Sequence, residues 1–197
     1  DNLGTIQSII ISNLHRLRKD PFDDLLRRRA KRWCDGGAAE AAPIIRRNIS
    51  RLCQLVPARV AFAVLKTVCN GWCTSRRFQK SIAPCWLCDA DQGDDILHYV
   101  DCGAVHAFAD TVIGDRWWPC GQEATIRRAI VAETLSDSQL ILTAALVDCI
   151  LQSANAARSE RHAANGWQLL NARWRATVRL VPSVEKAWKR LSPPGLT

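Results

Sequence analysis

The sequence predicts an all-α protein, an irregular multi-helix domain, and three observations support this class. Apolar residues recur at helical intervals of three and four along most of the chain, as they do at Ile6, Ile9, Ile10, Leu14 and Leu17. A proline or an Asn-Gly pair stands at most of the points where this periodicity breaks. Strand-like alternation of apolar and polar residues persists nowhere, so any β-structure should be no more than a minimal hairpin.

Four helices are predicted in the first part of the chain, and turn-forming residues separate them. Pro21 should end the first and open the second, and Pro57 should separate the third from the fourth. Pro43 is expected to mark the first turn of the third helix, because proline lacks the amide hydrogen that an internal position needs. Asn70 and Gly71 form a left-handed cap signal that should end the fourth. The predicted helices span residues 5–18, 22–33, about 38–56 and 58–70.

The rest of the chain predicts a short helix after residue 103 and a helical last third. Asp137 is the expected N-cap of the longest helix. Asn165 and Gly166 should break that helix, and Pro182 should separate the two that follow. A loop at 116–121 carries two tryptophans that should cover the core. The predicted helices span residues 104–113, 123–135, 137 to about 162, 167–180 and 184–191.

Length and composition predict one domain over residues 1–197, because 197 residues of which 48% are hydrophobic are enough for one core but not for two. The absence of methionine predicts that the chain is a fragment of a longer protein. Nine cysteines without a signal-like segment predict an intracellular, nuclear or cytoplasmic protein whose thiols stay reduced. A membrane-spanning role is not expected, since charged residues close every long apolar run.

Basic residues exceed acidic residues by 27 to 19, which gives a net charge of +8 and favours a polyanionic partner. Nucleic acid is the leading candidate, ahead of an anionic membrane surface. Two basic runs could contact phosphates through the planar arginine fork, although the first could equally be the solvated end of a helix. The candidate nucleic-acid-binding residues are Arg27, Arg28, Arg29, Arg32, Arg76, Arg77 and Lys80.

Four metal-ligand residue types stand at paired spacings in the middle of the sequence: Cys85-x2-Cys88, then nine residues, then His98-x3-Cys102. Such a Cys3His set suits tetrahedral zinc, and four protein ligands leave no open position, so the zinc should be structural. A tight turn should present the first pair. The second pair should share one face of a short helix, because they are four residues apart.

The predicted fold is therefore all-α with a small Cys3His zinc-knuckle-like insertion, residues 81–103, near the middle. Either Asp94 or Asp95 should cap the short helix in it.

Other arrangements of these side chains remain open. The cysteines could simply be buried apolar residues, as free cysteine often is. Cys69 and Cys73 could bind a metal together with the Cys85 pair, although Asn70 and Gly71 interrupt the helix that would align them. His106 could replace His98, because it also lies four residues from Cys102.

Residues 60–105 resemble the zinc-binding region that lies C-terminal to the reverse transcriptase of non-LTR retrotransposons. The resemblance rests on the basic stretch from Asn70 to Phe78, the Cys85-x2-Cys88 pair, the acidic Asp94-Asp95 step, His98 and Cys102. The family more often has four residues, rather than three, between its histidine and last cysteine. The resemblance implies a tail module of a retroelement polyprotein that binds RNA or DNA, while the rest of the polyprotein carries polymerase and endonuclease activities.

No enzymatic activity is expected of this fragment. Gly93-Asp94-Asp95 is similar to the metal-binding turn of viral RNA polymerases, but here it lies between zinc ligands and lacks the strands of a polymerase palm. The sequence therefore predicts a non-catalytic nucleic-acid-binding module with a structural zinc. The alternative is a helical protein-protein interaction scaffold with a structural or vestigial metal site, since the apolar helices of the last third could form an interface.

Overall fold

The computed structural model describes residues 21–33, 38–78, 83–91, 93–114, 126–160 and 165–191. Over these ranges the secondary structure consists of helices and turns without strands, which confirms the predicted all-α class. The expected helix at 5–18, the tryptophan loop at 116–121 and Lys80 lie outside the described residues. The helices are α1 (Pro21–Ala30), α2 (Ala38–Leu55), α3 (Ala58–Val68), α4 (Ile96–Val100), α5 (Gly103–Val112), α6 (Ile126–Val131), α7 (Asp137–Glu160), α8 (Gly166–Leu180) and α9 (Pro182–Leu191).

Helix α7 lies at the centre of the core. Every residue from 141 to 151 is buried, and Leu142, Leu146 and Ile150 are fully inaccessible to solvent. Helices α2, α3, α6, α8 and α9 all pack against it, while α1 packs on α2 and α5 packs on α8. The helix is apolar over most of its circumference, apart from the buried Asp148 that pairs with Arg59 of α3. It is stable in this position because neighbouring helices cover each of its faces.

The length and composition of α7 would also allow it to cross a bilayer. The candidate span runs from residue 137 to 159, and 83% of the most apolar 18 residues within it lie buried inside the structure. The central helix of a helical core has the same length and composition, so these properties are accounted for by the packing of α7.

Several details of the helices differ from the predicted ones, among them the place of Pro43 in α2 and the end of α6. Helix α2 begins at Ala38, so Pro43 lies inside it and not in its first turn. The turn before the proline is held by Ala41 and Ala42, which are both 4% exposed. Helix α6 ends at Val131, whereas the periodicity predicted that it would continue to residue 135.

Side chains of α2 bind the backbone that follows α6. The Asn48 side-chain amide donates to the carbonyl of Ala132 at 3.0 Å, and Arg47 and Arg51 donate to the carbonyls of Glu133 and Leu135. These carbonyls are satisfied without further helical turns, so the chain leaves the helix early.

The N-cap of α7 is Ser136 and not Asp137. The Ser136 hydroxyl accepts from the backbone N–H of Gln139 at 3.3 Å, and the Gln139 side chain accepts from the Ser136 backbone N–H at 3.1 Å. This reciprocal pair is a capping box. Asp137 is the first residue of the helix, and its carboxylate pairs with Arg51 at 2.6 Å.

The ends of α3 and α8 agree with the turn signals in the sequence. Asn70 adopts a left-handed conformation with φ 55°, and the N–H of Gly71 donates to the carbonyl of Lys66. This Schellman arrangement ends α3 and turns the chain toward the basic stretch that follows. Asn165 caps α8, since its side chain accepts from the N–H of Trp167.

The Ser136 cap can be tested by substitution. Ser136→Ala should lower the free energy of unfolding by about 1 kcal/mol, because the first turn of α7 loses its side-chain acceptor. Ser138→Ala, two residues further into the helix, is the matched control and should change stability by less than about 0.5 kcal/mol. Urea denaturation followed by far-UV circular dichroism measures both, and equal losses would contradict the assignment of the cap.

Candidate metal centre

The structure brings Cys85, Cys88, His98 and Cys102 together. One ligand atom from each lies within 4.8 Å of the others, and the Cys88 Sγ lies 3.3 Å from the His98 Nε2. Cys85 and Cys102 are fully buried, whereas Cys88 is exposed and His98 is partly exposed. This cluster can hold a metal ion. The rival candidates Cys69, Cys73 and His106 do not belong to it.

A tight turn presents the first two cysteines. The N–H of Asp89 donates to the carbonyl of Cys85 at 2.9 Å, and the N–H of Cys85 donates to the carbonyl of Ala90 at 2.9 Å. Asp89 has a positive φ of 57°, which reverses the chain after Cys88. The backbone then passes so close that a Cβ on Gly93 would lie 2.6 Å from the Cβ of Cys85, so only glycine fits at this position.

The backbone that presents His98 and Cys102 differs from the predicted one. Asp95 caps α4, as one of the two expected caps, but α4 ends at Val100. Cys102 therefore does not share a helical face with His98; it is the extended N-cap residue of α5, with φ −66° and ψ 125°. The sequence spacing identified two side chains that do converge, but the chain bends between them instead of continuing as a helix.

The groups around Cys102 favour its thiolate form. A hydrogen bond from the Cys85 thiol contributes most, burial opposes it, and the backbone N–H groups of Val105 and Ala104 contribute further, so that the pKa of Cys102 falls to about 5. The hydrogen bond to Cys102 and burial raise the pKa of Cys85, and burial raises that of Cys88. A metal would bind the thiolate forms of the three cysteines and displace their remaining thiol protons.

Asp94 connects the metal segment, residues 83–103, to the rest of the fold. Its carboxylate accepts from the Ser75 N–H at 2.8 Å, the Tyr99 hydroxyl at 2.9 Å and the Arg158 guanidinium of α7 at 2.7 Å. The side chain is only 3% exposed. Burial by itself would raise the pKa of Asp94, but these hydrogen bonds and the charge of Arg158 outweigh it and hold the pKa below its ordinary value.

The metal segment also packs directly against α8. A Cβ on Gly166, the first residue of α8, would lie 2.2 Å from the carbonyl oxygen of Leu87. This contact needs a residue without a side chain at the start of the helix. The Cys85–Cys88 turn of the predicted knuckle-like insertion therefore packs tightly on the start of α8.

Next to the metal segment the structure forms a basic cleft with a volume of about 520 Å³. Its cationic side chains come from three places in the sequence: the end of α1, the turn after α3 and the start of α6. Two groups of the metal segment, Asp95 and Leu97, complete the wall, and Asp95 pairs with Arg76 at 3.1 Å. The lining residues are Lys31, Arg32, Asn70, Thr74, Arg76, Arg77, Asp95, Leu97 and Arg127.

Only some of the predicted basic residues line the cleft. Arg32, Arg76 and Arg77 line it, whereas Arg27, Arg28 and Arg29 lie outside it, and Arg27 is 3.8 Å from Asp24 on its own helix. Sequence reasoning missed Lys31 and Arg127. The only signal for Arg127 was its place in an Arg-Arg pair, which does not reveal that α6 approaches the other basic residues.

Of the aromatic residues near the cleft, two are buried in the core and one is exposed at the surface. Trp33 and Trp72 are 3% and 2% exposed, and both indole N–H groups have partners, the Val68 carbonyl and the Thr67 hydroxyl. Phe78, by contrast, is 55% exposed. The guanidinium of Arg77 lies over its ring, 5.8 Å from the centroid.

Comparison of the chain with protein-family models, with curated proteins and with solved structures finds no match.

The role of Asp94 gives a stability prediction. Asp94→Asn should lower the free energy of unfolding at pH 7 by about 3–5 kcal/mol, because the Arg158 charge loses its buried partner. Since the folded-state pKa of Asp94 is depressed, its contribution is present above the ordinary value of 3.8 and is lost as the pH falls through the lowered value. The difference between variant and parent should therefore shrink in acid.

Chemical denaturation at pH 7 and below pH 4 measures this difference. The matched control is Asp91→Asn, which removes an exposed carboxylate from the same segment and should change stability by less than about 0.5 kcal/mol. A constant difference across this pH range would contradict the proposed ion pair.

The assignment of the ligands gives a second prediction. Cys88→Ser should weaken metal binding by more than about 100-fold, because a coordinating thiolate is lost and not merely a residue behind it. Cys88 is exposed, so its replacement disturbs packing little. Cys73→Ser, at another exposed cysteine, should bind as the parent does. Titration with Co²⁺ followed by visible absorption checks both variants, and an unchanged Cys88→Ser titration would show that the cluster is not the metal site.

Proposed function

We propose that the chain is a non-catalytic nucleic-acid-binding module of a retroelement-derived reverse-transcriptase polyprotein, in which a structural zinc organises a basic surface. The observation that carries the proposal is the basic cleft, whose wall is partly built from the metal segment. RNA or DNA would be the ligand, and the rest of the polyprotein the other partner. A nuclear or cytoplasmic location suits free thiols and a nucleic-acid ligand.

Zinc is the metal that fits the ligand set best. Three cysteine sulfurs and one imidazole are soft and borderline ligands, which favour zinc over the oxygen-seeking Mg²⁺ and Ca²⁺. Four protein ligands would fill a tetrahedral shell, so that no position remains for a reacting water. Such a zinc stabilises structure and does not take part in chemistry.

The metal segment supports the cleft through two neighbouring carboxylates. Asp94 accepts the N–H of Ser75, and Asp95 pairs with the side chain of Arg76, so the basic turn at 74–78 is attached to the metal segment. The free energy of metal binding would then also favour the ordered form of this turn. Arg76 remains 62% exposed and can reach a phosphate.

The charge of the chain agrees with a phosphate-bearing ligand. A net charge of +8 favours association with any polyanion, and the cleft concentrates cations from three separate helix ends on one surface. Phosphate contacts of this kind position a nucleic acid without reading its sequence. The resemblance of residues 60–105 to the zinc-binding tail of non-LTR reverse transcriptases supports the same function.

The alternative, a protein-interaction scaffold, depended on the apolar helices of the last third. The buried side chains of α7 are covered by α2, α3, α6, α8 and α9, so they present no free apolar face. The large apolar side chains that are exposed in the described residues, Phe62, Phe78 and Leu180, are scattered singly, which is ordinary for a protein surface.

Replacement of two cleft arginines tests the proposed function. Arg76→Gln/Arg77→Gln should weaken binding of a short RNA or DNA about tenfold or more at 0.1 M salt. It should also reduce the slope of log K against log salt by roughly 1.4 for a single strand, because two phosphate contacts are lost.

The matched control is Arg175→Gln/Arg179→Gln, which removes the same charge from exposed positions on α8. This variant should bind nearly as the parent does. Fluorescence anisotropy at several salt concentrations measures both, and circular dichroism checks that they are folded. Equal losses in the two double variants would show that binding depends on overall charge and not on the cleft.

A further inference from the structure

We infer that the basic cleft takes an unpaired segment of nucleic acid and not a duplex, with the ring of Phe78 as the surface on which one base stacks. This inference rests on the proposed function and names its ligand more closely. Three observations carry it: the size of the cleft, the mixture of polar groups that line it, and the exposure of Phe78.

The size of the cleft suits nucleotides one at a time. Its volume of about 520 Å³ lies within the range of roughly 300–1,000 Å³ that is typical of small-molecule sites. A duplex keeps its bases paired inside a rigid helix, so it would present only its backbone and the base edges in its grooves to the cleft. An unpaired strand can place a single nucleotide inside.

The polar groups in the cleft can bind bases and sugars as well as phosphate. Lys31, Arg32 and Arg76 provide cations for the backbone, but Asp95 adds a carboxylate and Asn70 and Thr74 add neutral polar groups. A phosphate diester has no hydrogen-bond donor and is repelled by a carboxylate. Base amino groups and sugar hydroxyls do have donors, and an unpaired base exposes its full Watson–Crick edge to such acceptors.

Phe78 is placed as a stacking surface. It is 55% exposed, although Trp72 in the same stretch is buried in the core. It follows Arg77, which lines the cleft and whose guanidinium lies against one side of the ring. A cation beside an exposed ring next to a basic groove is the arrangement with which single-strand binding proteins hold bases without sequence preference.

The test compares strands and aromatic residues. Fluorescence anisotropy would measure binding of a 12-nucleotide single strand and of a blunt duplex of the same sequence, each as RNA and as DNA. The variant is Phe78→Leu, which removes the ring and keeps an apolar side chain. Phe62→Leu is the matched control, because Phe62 is 52% exposed and also lies under a cation, Lys66, but stands on α3, whereas Phe78 directly follows the cleft residue Arg77.

We expect the single strand to bind at least tenfold more tightly than the duplex, and Phe78→Leu to lose about tenfold for the single strand with an unchanged salt slope. Phe62→Leu should bind as the parent does. The RNA and DNA arms identify which single strand is preferred.

Two failures are distinguishable. Equal affinity for single strand and duplex, with no effect of Phe78→Leu but a loss in Arg76→Gln/Arg77→Gln, would overturn this inference and leave the proposed function standing. Absence of salt-dependent binding to every nucleic acid would overturn both.

Discussion

The buried carboxylate of Asp94 is the interaction on which the arrangement of this protein depends. A charge with 3% exposure is stable only if its oxygens are fully hydrogen-bonded, and here three donors from three different parts of the chain meet that requirement. Ser75 comes from the basic turn, Tyr99 from the short helix α4 and Arg158 from the end of the central helix α7. Each donor is thereby fixed relative to the others, so one desolvated charge sets the distance between the metal segment, the cleft and the core.

The metal segment is consequently a junction. Its first turn rests on the start of α8 through Leu87 and Gly166, its last cysteine begins α5, and Asp95 reaches the cleft through Arg76. A bound metal would tie the two halves of the segment together at the point where all these contacts converge. Loss of the metal should therefore alter the structure of the cleft and the packing of the helices, and not only the positions of the four ligand side chains.

The sequence predicted much of this fold because helical periodicity and caps are local signals. The left-handed Asn70 and the Asp95 cap depend on neighbours within a few residues, and both were found where expected. The early end of α6 was not predicted, since it depends on Asn48, which lies 84 residues before the carbonyl that it binds. For the same reason the sequence could not place Arg127 beside Arg76.

The ligand cluster shows a different limit. Spacing alone identified the four side chains that converge, but it explained the pairing of His98 and Cys102 by a helix that ends before Cys102. A bend and a new helix give the same proximity as one continuous helix would. Residue spacing thus constrains which side chains can meet more strongly than it constrains the backbone between them.

The ligand cluster and the Asp94–Arg158 ion pair form from parts of the chain that the ribosome makes at different times. The cluster needs only residues up to Cys102, and a loop this short closes at a small entropic cost. Arg158, however, follows Asp94 by 64 residues. The four ligands are synthesised before Arg158, so we expect a nascent chain to acquire its metal first and to dock the loaded segment onto the core only after the end of α7 has been made.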